Sequence, residues 1–172
     1  MTWSKRALAG ACVLLAYAWL TACASLAFDG HIYKNADLSF RIAEVPSSWR
    51  RIESDDALLA FRDDSALASV FVNGRCGKDG DDVPLASLTH HLFLQFSERV
   101  IESEQKLSLD GREALHTELT AKLDGVQMRF VVIVLKKNGC VYDFVHVSPP
   151  TSPVESRERF IDFVQGFSTI SP

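Results

Sequence analysis

The chain is 172 residues long, 47% hydrophobic, and carries 18 Lys and Arg against 22 Asp and Glu for a net charge of −4. That length bounds the protein to about one domain with a sizeable core. Mild acidity without a basic run argues against nucleic acid as a partner.

The N-terminus is patterned as an export signal. Lys5 and Arg6 precede an apolar run from Ala7 to Leu20, broken only by Gly10. The run matches the h-region of a signal peptide and falls short of the roughly 20 residues that span a bilayer. It closes on Leu20-Thr21-Ala22-Cys23, which resembles a bacterial lipobox: an aliphatic residue, two small ones, then cysteine. The resemblance implies cleavage between Ala22 and Cys23 and acylation of the Cys23 thiol, palmitate being one such chain. Several acyl chains, at about 0.8 kcal/mol per buried methylene, hold a domain stably to a membrane. Ala24 after the cysteine points to the outer membrane, facing the periplasm. The expected organisation is a signal peptide over 1–22, a lipidated tether over 23–30 and one domain over 31–170. Loss of residues 1–22 leaves 16 basic and 22 acidic side chains, a balance of −6.

Residues 24–36 read as tether leading into a first strand, Leu38-Ser39-Phe40-Arg41-Ile42, which alternates apolar with polar. Val45-Pro46-Ser47-Ser48-Trp49 is a turn, with Trp49 expected as a core anchor. Strands follow at Arg50–Ile52, at Leu58–Phe61 and from Leu67 to Arg75, where Val70 and Val72 share one face and Phe71 takes the other. Gly77 to Asp82 is a polar loop. Pro84 opens a helix whose stripe is Leu85, Leu88, Leu92 and Phe96, ending near Glu98 or Arg99. Asp110-Gly111, Asp124-Gly125 and Asn138-Gly139 are hairpin dipeptides that make the second half antiparallel. Phe130 to Leu135 is apolar at every position, so both its faces should be covered. The last strand is Cys140–Val147. Ser152-Pro153-Val154-Glu155 reads as a capping box. The closing helix buries Phe160, Phe163, Val164 and Phe167, with Gly166 able to end it in the left-handed conformation. The fold class is α+β, a mainly antiparallel sheet with helices packed on its faces.

This pattern resembles Mog1/PsbP-like domains. The likeness is carried by Leu38-Ser39-Phe40-Arg41-Ile42, Pro46-Ser47-Ser48-Trp49 and Leu58-Leu59-Ala60-Phe61, followed by a central helix, a long hairpin at Gly111, an apolar strand, Val141-Tyr142 and a closing helix. It spans most of residues 31–170. Members are mostly non-enzymatic: some bind a small GTPase, some serve photosystem II, and many are bacterial lipoproteins. The resemblance implies layered α/β/α architecture and a binding or stabilising module.

Cys76 and Cys140 fall outside the signal segment, in a compartment that permits disulfides; they are expected to pair, the alternative being two buried thiols. No residues are assigned to catalysis, to a metal or to a cofactor. Gly74-Arg75-Cys76-Gly77-Lys78-Asp79 fails as a phosphate loop because Val72 stands where the first glycine belongs and Asp79 where Ser or Thr is needed. Asp79, Asp81 and Asp82 break the calcium-loop spacing at Val83. His90 and His91 point about 100° apart on a helix and cannot chelate one ion together. His116 and His146 are expected on polar strand faces, and His31 near the tether. Glu102 and Glu104 read as a solvated strand face, and Ser47-Ser48 as part of a packing turn.

The leading expectation is a membrane-anchored, non-catalytic interaction or assembly module with an envelope protein partner. The alternative is a small-ligand carrier or sensor, with a cavity lined by the 84–98 helical stripe. An enzyme ranks last and would need residues such as His116 and His146 brought together.

Overall fold

The computed structural model describes residues 27–77 and 83–170. The segment holding the lipobox, including Ala22 and Cys23, lies outside the described residues, as do Asp79, Asp81 and Asp82.

The elements in chain order are β1 (Ile32–Lys34), β2 (Ser39–Arg41), β3 (Trp49–Ile52), β4 (Leu59–Asp63), β5 (Ala68–Cys76), α1 (Leu85–His91), β6 (Ser97–Leu109), β7 (Arg112–Leu123), β8 (Val126–Lys137), β9 (Cys140–Ser148), α2 (Val154–Gln165) and β10 (Ser168–Thr169). Seven strands form an antiparallel sheet in the order β3-β4-β5-β9-β8-β7-β6, and β1-β2-β10 form a small second sheet. This is the α+β arrangement expected from the sequence.

Turn chemistry sets the long hairpins. Asp110, Asp124 and Asn138 have φ of 49°, 51° and 54°, and each is followed by a glycine at φ between 72° and 82°. Positive φ at both central residues is the type I′ turn, whose twist matches that of the paired strands. β8 then lies in the middle of the sheet with both faces buried. Val131, Ile133 and Leu135 enter a core with Phe160, Phe163 and Val164 of α2. Phe130, Val132 and Val134 enter a second core with Leu88 and Phe93. Full burial of each such side chain contributes roughly 1.5–3 kcal/mol. Trp49 is the core anchor expected of it, its ring 6.1 Å from Phe61 and 5.2 Å from Phe163.

Four readings of the sequence need correction. Part of the stretch taken as tether is structured: Phe28 is buried edge-on against Phe61 at 6.4 Å, and Ile32–Lys34 pairs with β2. The first helix stops at His91, and the chain tightens through Leu92→Thr89, Phe93→His90 and Phe96→Phe93 backbone hydrogen bonds. Both Phe93 and Phe96 pack on Phe130 from this tightened segment, their ring centroids 5.3 and 5.1 Å from its own. The capping box does not form, because the Ser152 hydroxyl donates instead to the Ala66 carbonyl at 2.6 Å. Gly166 closes α2 at φ −83°, not in the left-handed region. It is glycine for space, since a Cβ there would lie 2.5 Å from the Ala43 Cβ.

Candidate functional site

The two sheet faces are covered unequally. α2 and the small sheet pack over one face. On the other, α1 lies over β7 and β8, and most of β4, β5 and β9 has no helix above it. The result is an open groove of about 600 Å³. Phe71, Val145, Val147 and Phe130 form its floor, and Leu92, Phe93 and Phe96 wall it on the α1 side. The Phe96 ring stacks on Phe130 at 5.1 Å. Arg62 and Leu67 stand at its β4–β5 end. The helical stripe expected to line a cavity does so through Leu92 and Phe96, and Phe93, which the stripe omitted, joins them.

Beyond the α1 wall the surface stays apolar. Leu94, Ile101, Leu123 and Val126 are exposed large hydrophobic residues on the α1 face of the sheet, toward its β6–β7–β8 corner. Leu123 opposes Val126 across the β7–β8 turn, and Ile101 opposes Leu119, whereas Val100, opposite Thr120, points to the other face.

The opposite face holds the ionisable residues the sequence singled out. His116 and His146 are buried, not on solvated faces. Their alternation was in phase, but α2 covers the face they occupy. His146 Nε2 lies 3.0 Å from the Ser156 hydroxyl, both residues being fully buried. Burial, reinforced by the Arg157 charge, lowers its pKa to about 4, so it is neutral at pH 7. His116 is also lowered by burial, against the pull of Glu118, which lies 3.9 Å away and accepts from Arg157 at 2.7 Å. His116 opposes Ile133 and His146 opposes Val131, so the two histidines are two strands and two register positions apart, about 12 Å between backbones.

Buried Asp63 accepts from Arg159 at 2.9 Å. Burial works to raise its pKa, but hydrogen bonds from Ser65 and Arg159 outweigh it and leave the carboxylate below its usual range. Asp143 is the reverse case: burial holds its pKa up despite the ion pair with Arg75.

Cys76 and Cys140 form a disulfide, as expected. His90 and His91 are exposed; His90 lies 3.9 Å from Glu104, and Glu102 lies 3.7 Å from Arg129. Ser47 and Ser48 sit in the turn closed by the Trp49 N–H to Pro46 carbonyl bond. Among the described residues no group of three or more His, Cys, Asp or Glu is placed to hold a metal ion.

No family model and no curated protein matches the chain. Solved structures do. CyanoP, the cyanobacterial PsbP of Synechocystis sp. PCC 6803, matches with a TM-score of 0.58 and 11% identity over 88% of this chain and 99% of that one. The fold is PsbP-like. LpqN of Mycobacterium tuberculosis matches with a TM-score of 0.55 and 13% identity, over 81% of this chain and 90% of that one. A Bacteroides thetaiotaomicron protein matches with a TM-score of 0.56 and 11% identity over 84% of this chain, which spans about half the length of that protein (50%). The similarity is one of fold.

Proposed function

We propose that the chain is an envelope lipoprotein, anchored through Cys23, whose PsbP-like domain acts as a non-catalytic interaction or assembly module. The carrying observation is the apolar corner of Leu94, Ile101, Leu123 and Val126, where Leu94 and Val126 are 60% and 61% exposed. A solvated monomer gains nothing from this grouping, whereas a protein partner buries it. Envelope placement is supported by the Leu20-Thr21-Ala22-Cys23 pattern and by the shared fold with LpqN, a protein involved in cell envelope biogenesis. No helix among the described residues is long and apolar enough to cross a membrane.

Metabolic labelling with palmitate and membrane fractionation test the anchor. The intact chain should take up label and sediment with membranes, and Cys23→Ala should lose both. A Cys23→Ala chain that stays in the membrane fraction would contradict the anchor.

The groove favours a second reading, a small-ligand site on the same anchored domain. Its volume of about 600 Å³ falls in the range of ligand pockets, and its floor and wall are apolar.

A further inference from the structure

Resting on that second reading, we propose that the groove binds the anion of a single-chain fatty acid, its carboxylate at Arg62 and its alkyl chain running across the sheet toward Phe130.

The register makes the argument. Arg62 of β4 opposes Ser69 of β5, Ser69 opposes Val147 of β9, and Val147 opposes Phe130 of β8. One transverse row thus runs along the groove, and its ends differ in chemistry. Continued outward from Arg62 the row reaches Arg50 of β3. Both guanidiniums bond the single carboxylate of Asp64, Arg50 at 2.7 Å and Arg62 at 3.3 Å, so this end has more positive than negative charge. At the other end the row passes under Phe96 and Phe93, whose rings lie 5.1 and 5.3 Å from that of Phe130. Between the ends lie Ser69, whose hydroxyl accepts from Arg62 at 3.1 Å, and then Val147, with Phe71 and Val145 beside it.

From Arg62 to Phe130 is three strand spacings, about 14 Å, the scale of an extended medium-length alkyl chain. With Arg62 Nε on Asp64 and Nη1 on Ser69, Nη2 is left to donate a charge-assisted bond to a carboxylate head, and the tail gains burial at roughly 25 cal/mol per Å². A cationic head would meet two like charges. The groove's acidic lining residue, Asp56, is at the Asn73 end, where Asn73 donates to its backbone carbonyl at 2.9 Å. Asn73 is four residues along β5 from Ser69, about 13 Å, too far for Asp56 to neutralise the arginine end.

The test is photolabelling of the full chain in its own membranes with dodecanoate carrying a diazirine at its tail, and mapping of the labelled residues. The proposal expects label on residues 92–96 or on Met128 and Phe130, displaced by unmodified dodecanoate. Arg62→Gln should cut this labelling by about tenfold, while Arg62→Lys keeps most of it, because a charge-assisted hydrogen bond is what is lost. The corresponding dodecanol probe should label weakly, and equally in the parent chain and Arg62→Gln. Label concentrated on the α2 face, equal labelling by acid and alcohol in the parent chain, or full labelling of a folded Arg62→Gln would overturn the proposal. The acid–alcohol comparison needs no variant, so it decides the matter even if Arg62→Gln fails to fold. A negative result here leaves the protein-partner reading standing, since that reading rests on Leu94, Ile101 and Val126, which do not line the groove.

Discussion

Cys76 and Cys140 oppose each other at the last register position of the β5–β9 pairing, and the disulfide between them closes that pairing. The two residues are 64 apart in sequence, so the bond removes a large loop from the unfolded chain. In the chain-entropy description this is worth about 4 kcal/mol, and measured native disulfides give roughly 2–5. Replacing both cysteines by serine should lower stability by about 2–4 kcal/mol in denaturant titration. An unchanged midpoint would mean that β5 and β9 hold their register without the bond.

His146 makes stability depend on pH. Burial lowers its folded pKa to about 4, from the 6.5 of an ordinary solvated histidine. Between those values the unfolded chain binds a proton that the folded chain refuses. Stability is therefore full above about pH 6.5 and falls as the pH drops toward 4, by about 3 kcal/mol from this residue. His116 acts in the same direction, because burial lowers it too. His146→Gln keeps a partner for Ser156 and removes the titration. Its stability should be flatter between pH 4 and 6.5 than that of the parent; an equal slope would assign the dependence elsewhere.

Gly166→Ala should destabilise by about 1–3 kcal/mol, because the new methyl meets the Ala43 Cβ at 2.5 Å and two backbone atoms of Ala43 within 3.1 Å. Thermal unfolding is enough to see it. Since φ at this residue is −83°, the loss would come from contact and not from backbone strain. An undiminished melting temperature would show that the α2 end and the segment around Ala43 can separate without cost.

Leu67 presents the opposite situation. It occupies φ 51° while 57% exposed at the rim of the groove. A branched apolar residue in the left-handed region costs about 1–2 kcal/mol, and exposure recovers little of it. Leu67→Asn should raise stability by up to about 1 kcal/mol, measured by thermal unfolding. A fall would show that Leu67 packs on the groove more strongly than its exposure indicates.

The hairpin half of the fold was legible in the sequence because three Asp-Gly or Asn-Gly dipeptides fix both turn type and register. The double-sided burial of β8 was legible for the same reason: Phe130 to Leu135 leaves no polar position for solvent. β1 and β10 were not legible, since three and two residues are too few to show periodicity. The histidines were placed on the correct face but in the wrong environment; strand alternation fixes sides, and only the packing of α2 decides which side is dry. The stripe that lines the groove was legible through Leu92 and Phe96, but the extent of the groove was not, because it depends on α1 covering β7 and β8 and stopping there. The short helix and the inward turn of Phe93 follow from a fit to Phe130 that no local pattern announces. Arg62 looks like any polar strand residue until the register sets it in line with Val147 and Phe130.

The most direct measurement of the central claim is site-specific photocrosslinking of the full chain in living cells, with the photoreactive residue at Val126 in the apolar corner or at Glu158 on the exposed side of α2. The account predicts one dominant envelope protein captured from position 126, little from position 158, and loss of the capture in the Cys23→Ala chain. No enriched partner from position 126, or equal capture from both positions, would contradict it.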